Sequence, residues 1–185
     1  MQNLKELPKD LPKPKDDGAC DHLLGSKLPN IDLKTTDGNT VNFATVESRV
    51  VIYLYPMTGR PDVALPDGWD EIPGARGCTP QSCSFRDHHA ELQELNTEVY
   101  GLSTQTSEYQ QEAAERLHLP FPLVSDRGLD FISSLSIPTM EVEGMVLSKR
   151  VTIIGEGGVI KKVFYPVFPP NENANQVLSN LREQA

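Results

Sequence analysis

An α/β fold, with a central mixed sheet and helices on both of its faces, is predicted by two patterns in the amino-acid sequence. Strand-like and helix-like segments alternate through the middle of the chain, which is typical of a sheet covered by the helices that connect its strands. Two β-rich segments then flank the glycine-rich turn at residues 155–158 and predict an antiparallel hairpin that closes the sheet. The 185 residues suffice for one domain with a hydrophobic core and are too few for two.

The individual elements follow from hydrophobic periodicity and turn residues. Asp37-Gly38 between two short alternating runs predicts a hairpin near the N-terminus. The unbroken apolar run Val50–Tyr55 predicts a buried central strand, because a strand covered on both faces needs no polar alternation. The remaining predicted strands are 98–103, 121–124, 149–154 and 159–164, and the predicted helices are 78–95, 107–117, 127–135 and 173–182. Ser107 is predicted to cap the second of these helices.

Two segments fall outside this pattern. Residues 1–20 are polar and rich in Lys and Pro, so we expect a flexible or loosely docked lead-in to a domain of residues 21–185. Residues 57–77 are rich in Gly and Pro and predict a long loop, which in a compact domain is usually functional. Trp69 in this loop either covers a site or anchors the loop by burying its ring.

Composition excludes several classes of partner. The formal net charge of -9 disfavours nucleic acid and anionic membrane surfaces, and no apolar run is long enough to span a bilayer. Residues 1–18 lack the pattern of a secretory signal, so we expect a cytoplasmic protein. Three cysteines make a poor disulfide framework, and in a reducing cytosol a close pair is more often catalytic, redox-active or metal-binding.

Cys78 is the predicted nucleophile. It opens a predicted helix in which Pro80 suits the first turn, where a missing N–H costs little. The free N–H groups and the positive end of the helix dipole favour a thiolate there, and the thiolate is the reactive form of cysteine. Gly77 is expected to leave space beside the sulfur for a substrate.

Cys83 follows five residues later on the same predicted helix. That separation is a rise of roughly 7.5 Å and a rotation of roughly 140°, whereas a disulfide needs Cα atoms roughly 4.4–6.8 Å apart. Pairing therefore requires the helix start to unwind. This predicts a cycle in which Cys78 attacks a peroxide and becomes a sulfenic acid, Cys83 condenses with it, and an outside dithiol restores both thiols. No metal, haem or flavin is needed, because the thiolate itself carries the oxygen chemistry.

Peroxide cleavage also requires a group that stabilises the charge on the leaving oxygen, which an arginine can supply. The candidates are Arg150 before a β-rich run, Arg86 two turns beyond Cys78, and Arg76 in the preceding loop. Each is equally compatible with an ordinary surface charge when the residues are considered alone.

Four segments together resemble the peroxiredoxin family. They are Val51–Pro56, Gly77-Cys78-Thr79, Cys83–Asp87 and Arg150-x-Thr152. Two cysteines separated by four residues resemble the bacterioferritin-comigratory or peroxiredoxin Q branch. The resemblance covers about residues 21–181 and implies a thioredoxin-like fold with an N-terminal extension. It further implies that Cys78 is the peroxidatic cysteine, Cys83 the resolving cysteine and Arg150 the active-site arginine, with thioredoxin or a similar dithiol protein as reductant.

The sequence departs from the family at three positions. The family usually has a proline seven residues before its cysteine and a hydroxyl residue three before it, where this chain has Glu71 and Ala75. Pro56 resembles that proline, displaced by the insertion of residues 57–74, and Thr58 is a candidate for the hydroxyl. The usual glutamate three residues after the cysteine is Gln81. These changes leave open how the peroxide is hydrogen-bonded.

Other interpretations remain for the same residues. Cys78 and Cys83 are compatible with inert buried thiols. With His88 and His89 they have the residue types of a zinc site, although one continuous helix cannot surround an ion tetrahedrally. Cys20 is expected to be structural or exposed. The rivals to a hydroperoxide reductase are a thiol-disulfide oxidoreductase, which usually has a Cys-x-x-Cys motif, and a peroxide-sensing redox protein. We expect a monomer or a weak homodimer.

Overall fold

The computed structural model describes residues 3–185, so that the first two residues of the predicted lead-in lie outside the described part. The strands within it are β1 (Leu33–Thr35), β2 (Thr40–Val41), β3 (Arg49–Leu54), β4 (Thr97–Ser103), β5 (Leu123–Ser125), β6 (Thr139–Val142), β7 (Met145–Ser148), β8 (Val151–Glu156) and β9 (Val159–Phe164). The helices are α1 (Cys78–Asp87), α2 (His89–Glu94), α3 (Ser107–Arg116), α4 (Asp130–Ser134) and α5 (Asn173–Glu183).

Seven of these strands form one mixed sheet in the order β2-β1-β5-β4-β3-β8-β9. Strands β3, β4 and β5 run parallel, and the flanking pairs are antiparallel. The α/β sheet with an N-terminal hairpin and a closing antiparallel pair is therefore confirmed. Strand β3 lies inside the sheet between β4 and β8, as its apolar sequence predicts, and its carboxyl end leads into the long loop before α1.

The two faces of the sheet carry separate apolar cores. Alternate residues of β3 serve each face, because successive side chains of a strand point in opposite directions. Ile52 and Leu54 pack with Phe131 of α4, whereas Val51 and Tyr53 pack with Phe85 of α1 and with α5. Helices thus cover both faces, and the second core fixes α1 against the sheet.

Two helix predictions were wrong in detail. The helix predicted over 78–95 breaks at His88, whose backbone leaves the helical region at φ -103° and ψ 8°, so that α1 and α2 are separate. The cap of α3 is Thr106 and not Ser107. The backbone of Thr106 is extended, and its side chain accepts a hydrogen bond from the Tyr109 N–H at 3.2 Å.

The hairpin of β6 and β7 was not predicted. Its turn is Glu143-Gly144, both with positive φ, a conformation typical of two-residue hairpin turns. The hairpin packs Val142 and Leu147 against Trp69 of the long loop. The loop is therefore held by a small core of its own and contains a 3₁₀ turn at Trp69–Glu71.

The described part of the lead-in is packed against the domain, in contrast to the loose docking expected for it. Leu4 and Cys20 are buried, and the Tyr165 hydroxyl donates to Asp17 Oδ1 at 2.9 Å. Whether residues 21–185 form an independent domain stays a prediction. Among the described residues, no helix has both the length and the apolar character that a bilayer crossing requires.

Candidate active site

Cys78 is the first residue of α1, and the predicted position at a helix start is confirmed. The side chain is 3% exposed. The sulfur lies 3.3 Å from Nη2 of Arg150, which donates to it, and 3.8 Å from the Ala75 carbonyl oxygen. The N–H groups of a first helical turn have no acceptor within the helix, and their partial positive charge faces the same end. Two sources of positive potential therefore converge on one sulfur.

Arg150 is buried immediately before β8 and is held in one orientation by many acceptors. Its guanidinium donates to the carbonyl oxygens of residues 74–76, at 3.3, 3.0 and 3.4 Å, and to Gln81 Oε1 at 2.5 Å. A buried charge is tolerated only when it is hydrogen-bonded in this way. The end of the long loop thus supplies three of the acceptors that aim Arg150 at Cys78.

A second layer of polar residues fixes the Gln81 amide. Gln81 Nε2 donates to Asn173 Oδ1 at 3.0 Å, and the same oxygen accepts from the Thr152 hydroxyl at 2.7 Å. All three side chains are buried. A neutral amide can accept from Arg150 and donate to Asn173 at once, which an ionised glutamate cannot do. Asn173 was missed by sequence reasoning, because an asparagine at a helix start ordinarily suggests only a cap.

A small cavity of about 10 Å³ adjoins Cys78. Four apolar side chains from the lead-in and the long loop line it, together with two polar ones: Leu4, Met57, Leu65 and Trp69, with Arg76 and Thr79. This volume suffices for about one water molecule. Trp69 therefore does both things that the sequence left open, since it lines the cavity and anchors the loop in the core with Leu147.

Gly77 also lines this cavity, and the absence of a side chain there allows two other residues to pack against its backbone. The residue adopts φ 114°, which favours glycine, and a Cβ there would lie 2.6 Å from Pro170 Cγ and 2.9 Å from Leu7 Cδ2. Pro170 and Leu7 therefore fill the place that a side chain at residue 77 would occupy, whereas the space for a substrate beside the sulfur stays a prediction.

The predicted hydroxyl of Thr58 is directed elsewhere. Thr58 is buried, and its hydroxyl donates to Gln105 Oε1 at 3.3 Å while its N–H donates to the same oxygen at 3.1 Å. The residue is not among those that line the cavity, which instead include Thr79, the second residue of α1. Pro56 is buried at the end of β3, before the loop departs. Neither Pro56 nor Thr58 is among the residues that line the cavity.

The other two candidate arginines make contacts away from the sulfur. Arg86 donates to the Leu117 carbonyl oxygen at 2.8 Å and to Asp87 Oδ1 at 2.9 Å. Arg76 pairs with Asp70 at 2.8 Å. Of the three, Arg150 donates to the Cys78 sulfur, and Arg76 lines the cavity beside it.

Cys83 lies on the same helix as Cys78 and is half-buried, and both thiols are free. Burial raises the pKa of the Cys83 thiol, with Arg86 acting in the opposite direction. The histidines of the zinc alternative have other contacts: His88 Nδ1 lies 2.8 Å from Glu91 Oε1, and the His89 ring packs against Phe121.

The comparisons with known proteins agree with this geometry. The family model described as Redoxin matches residues 23–178. The chain belongs to the Redoxin family. Among relatives of this Redoxin chain is a putative chloroplastic peroxiredoxin Q of Oryza sativa subsp. indica, 28% identical over 159 residues, which are 85% of this chain and 66% of that one. The chain thus spans just under two thirds of that relative. The resemblance to peroxiredoxins predicted from the sequence is confirmed.

Solved structures share the fold of this Redoxin chain. The peroxidoxin BcpB of Mycobacterium tuberculosis has a TM-score of 0.72 at 22% identity and covers 89% of this chain and 99% of its own. The bacterioferritin comigratory protein of Xanthomonas campestris has a TM-score of 0.66 at 18% identity and covers 95% and 99%. The predicted thioredoxin-like peroxiredoxin fold is confirmed, and the roles of individual residues stay predictions.

Proposed function

We propose that this chain is a thiol-dependent peroxidase, which reduces hydrogen peroxide and organic hydroperoxides with Cys78 as the attacking residue. The observation that carries the proposal is the buried guanidinium of Arg150, fixed by the loop carbonyls and donating to the Cys78 sulfur at 3.3 Å. Peroxiredoxin Q relatives, and the alkyl peroxide reduction activity of the Xanthomonas campestris protein, support the same function.

The first step uses the charge that this arrangement concentrates. The Cys78 thiolate attacks the distal oxygen of the peroxide, an S–O bond forms, and the O–O bond breaks. The leaving hydroxide or alkoxide takes the electron pair and a proton from solvent and departs as water or an alcohol. Arg150 donates to the sulfur before the step and stabilises the negative leaving oxygen during it.

The second step converts the Cys78 sulfenic acid to a disulfide. Cys83 attacks the Cys78 sulfur, and water leaves. Both residues lie in α1, so its first turns must unwind before the sulfurs meet. Burial raises the pKa of the Cys83 thiol in the folded helix. Unwinding removes that burial and shifts Cys83 toward its nucleophilic form only when its partner is in reach.

A dithiol protein of the thioredoxin type completes the cycle by reducing the disulfide through exchange. We further propose a cytoplasmic monomer or weak homodimer, on the basis of cysteine usage and the family resemblance. Cell fractionation and light scattering across a concentration series test these two points.

The test of the proposal is peroxide consumption with thioredoxin and its reductase, together with a non-reducing peptide map after one equivalent of peroxide. We expect rapid turnover and a Cys78–Cys83 disulfide, which Cys83→Ser prevents. Insulin reduction without peroxide turnover indicates a disulfide oxidoreductase instead. A single oxidation without turnover indicates a sensor, and a Cys78–Cys20 linkage overturns the resolving role of Cys83.

A further inference from the structure

We infer that Leu4, in the N-terminal lead-in, is the specificity-determining residue that limits the size of the molecules that reach Cys78. The inference deepens the proposed function and assigns to the lead-in a part in substrate choice. It rests on the walls of the Cys78 cavity, on the contacts that hold residues 3–7 in place, and on the size of that cavity.

Leu4 forms one of the apolar walls of the cavity, and it is itself 7% exposed although it lies in a segment otherwise rich in polar residues. It packs closely over the long loop: its methyl carbons lie 3.3 Å from where a Cβ on Gly59 would be. The lead-in therefore contributes a side chain to the cavity that the family motif does not predict.

Contacts on both sides of Leu4 fix its position. Arg76 Nη2 donates to the Asn3 carbonyl oxygen at 3.1 Å, and Arg76 is in turn held by Asp70. Leu7 packs at Gly77, immediately before the reactive cysteine. These contacts join residues 3–7 to the segment that carries Cys78, so Leu4 is a defined wall and not a loosely placed side chain.

Because the cavity is small, the position of Leu4 affects which molecules reach Cys78. A volume of about 10 Å³ holds about one water molecule. Hydrogen peroxide has two oxygen atoms and therefore needs more space than this cavity offers. Walls this close to the sulfur are expected to limit a bulky organic peroxide more strongly than hydrogen peroxide. Leu4 lies on a segment whose other residues are mostly exposed, whereas Trp69 is anchored in a core with Leu147, so Leu4 is expected to move more readily.

Met57 is the competing wall. It separates the cavity from a groove of about 630 Å³ between the long loop and the β6–β7 hairpin, because it lines both spaces. Access from the groove would make Met57 the limiting side chain. The two alternatives make opposite predictions for matched alanine variants, so they can be separated by experiment.

The experiment compares Leu4→Ala and Met57→Ala in the full chain, with Leu24→Ala as control because Leu24 is 64% exposed. Stopped-flow measurements give the second-order rate constants of Cys78 oxidation by hydrogen peroxide and by cumene hydroperoxide. We expect Leu4→Ala alone to raise the ratio of cumene hydroperoxide to hydrogen peroxide by about tenfold, the scale of a few carbons in an apolar pocket. A ratio that rises only in Met57→Ala, or in neither variant, overturns the inference.

A second measurement does not depend on peroxidase activity. Cys78 is alkylated with iodoacetamide or with the bulkier N-ethylmaleimide, and the modified peptide is followed by mass spectrometry. Leu4→Ala is expected to accelerate alkylation by N-ethylmaleimide more than alkylation by iodoacetamide. The volume-conserving Leu4→Met should keep the wild-type ratio of the two rates, and it serves as the control for a general effect of substitution at this position. If this selectivity is found but no peroxide oxidises the wild type, the proposed function fails and the role of Leu4 stands; equal acceleration of both reagents overturns the inference.

Discussion

Cys78 and Cys20 are buried to nearly the same degree, at 3% and 5% exposure, but lie in opposite electrostatic surroundings. Cys78 faces the start of a helix and the Arg150 guanidinium. Cys20 lies among Asp16, Asp17 and Asp21, and burial together with these carboxylates raises its pKa to about 12. Burial alone disfavours any thiolate. At nearly equal exposure, the charge around each thiol is the difference from which we expect Cys78, and not Cys20, to react.

The largest effect is expected from replacing each of the two cysteines in turn. Cys78→Ser is expected to lower thioredoxin-coupled peroxide consumption by more than about 10³-fold, because the nucleophile is lost. Cys20→Ser is the matched control and is expected to retain the wild-type rate. Retained activity in Cys78→Ser, or its loss in Cys20→Ser, would contradict the assignment.

The next largest effect is expected from the positive charge beside Cys78. Arg150→Met should slow oxidation of Cys78 by about 10²–10³-fold, the usual cost of removing one preorganised donor from developing negative charge. The fluorescence of Trp69, the single tryptophan, offers a stopped-flow signal because the ring lines the cavity.

The control for that variant is Arg49→Met, which removes a charge paired with Glu156 at the far end of β3. Arg150→Lys should fall between the two, since an ammonium keeps the charge but loses the forked geometry. An Arg150→Met protein that is oxidised as fast as the control would show that the helix start alone activates the sulfur.

A smaller effect is expected from the residue that orients Arg150. Gln81→Ala removes an acceptor from a buried guanidinium, which should lower the free energy of unfolding by about 1–3 kcal/mol and the rate of Cys78 oxidation by about tenfold. Denaturant unfolding and the same stopped-flow assay measure the two changes. Gln93→Ala, on the exposed face of α2, is the matched control and should change neither.

The smallest effect concerns Cys20. Replacing Asp16, Asp17 and Asp21 by asparagine removes negative charge that opposes its thiolate, so the pKa should fall from about 12 but stay above the ordinary value, because burial is the larger cause. Alkylation of Cys20 at a pH below its pKa should therefore become faster, by about tenfold for each pKa unit. Asp10→Asn is the control. If the alkylation rate of Cys20 depends on pH in the triple variant as it does in this control, the three carboxylates do not contribute to the raised pKa of Cys20.

The parts of the fold that the sequence predicted are those set by neighbouring residues. The run before Pro56 predicted a central strand, and the context of Cys78 predicted a helix start, because each depends on a few adjacent side chains. The break at His88 was not visible, since the apolar spacing continues across it.

The parts of the site that could not be predicted depend on distant residues. Arg150 meets Gln81 across 69 positions, and Gln81 meets Asn173 across 92. Only the register of β8 and the docking of α5 bring these residues together. The contact of the Thr58 hydroxyl with Gln105 was not predicted for the same reason. The sequence of a long inserted loop does not determine the orientation of a side chain within it.

Gly77 has a consequence for the whole chain. Leu7 near one terminus and Pro170 before the last helix both pack against this glycine. Unwinding of α1 would therefore loosen both at once. A donor and an acceptor dye, attached near residues 10 and 180, would then report in real time whether α1 is folded or unwound.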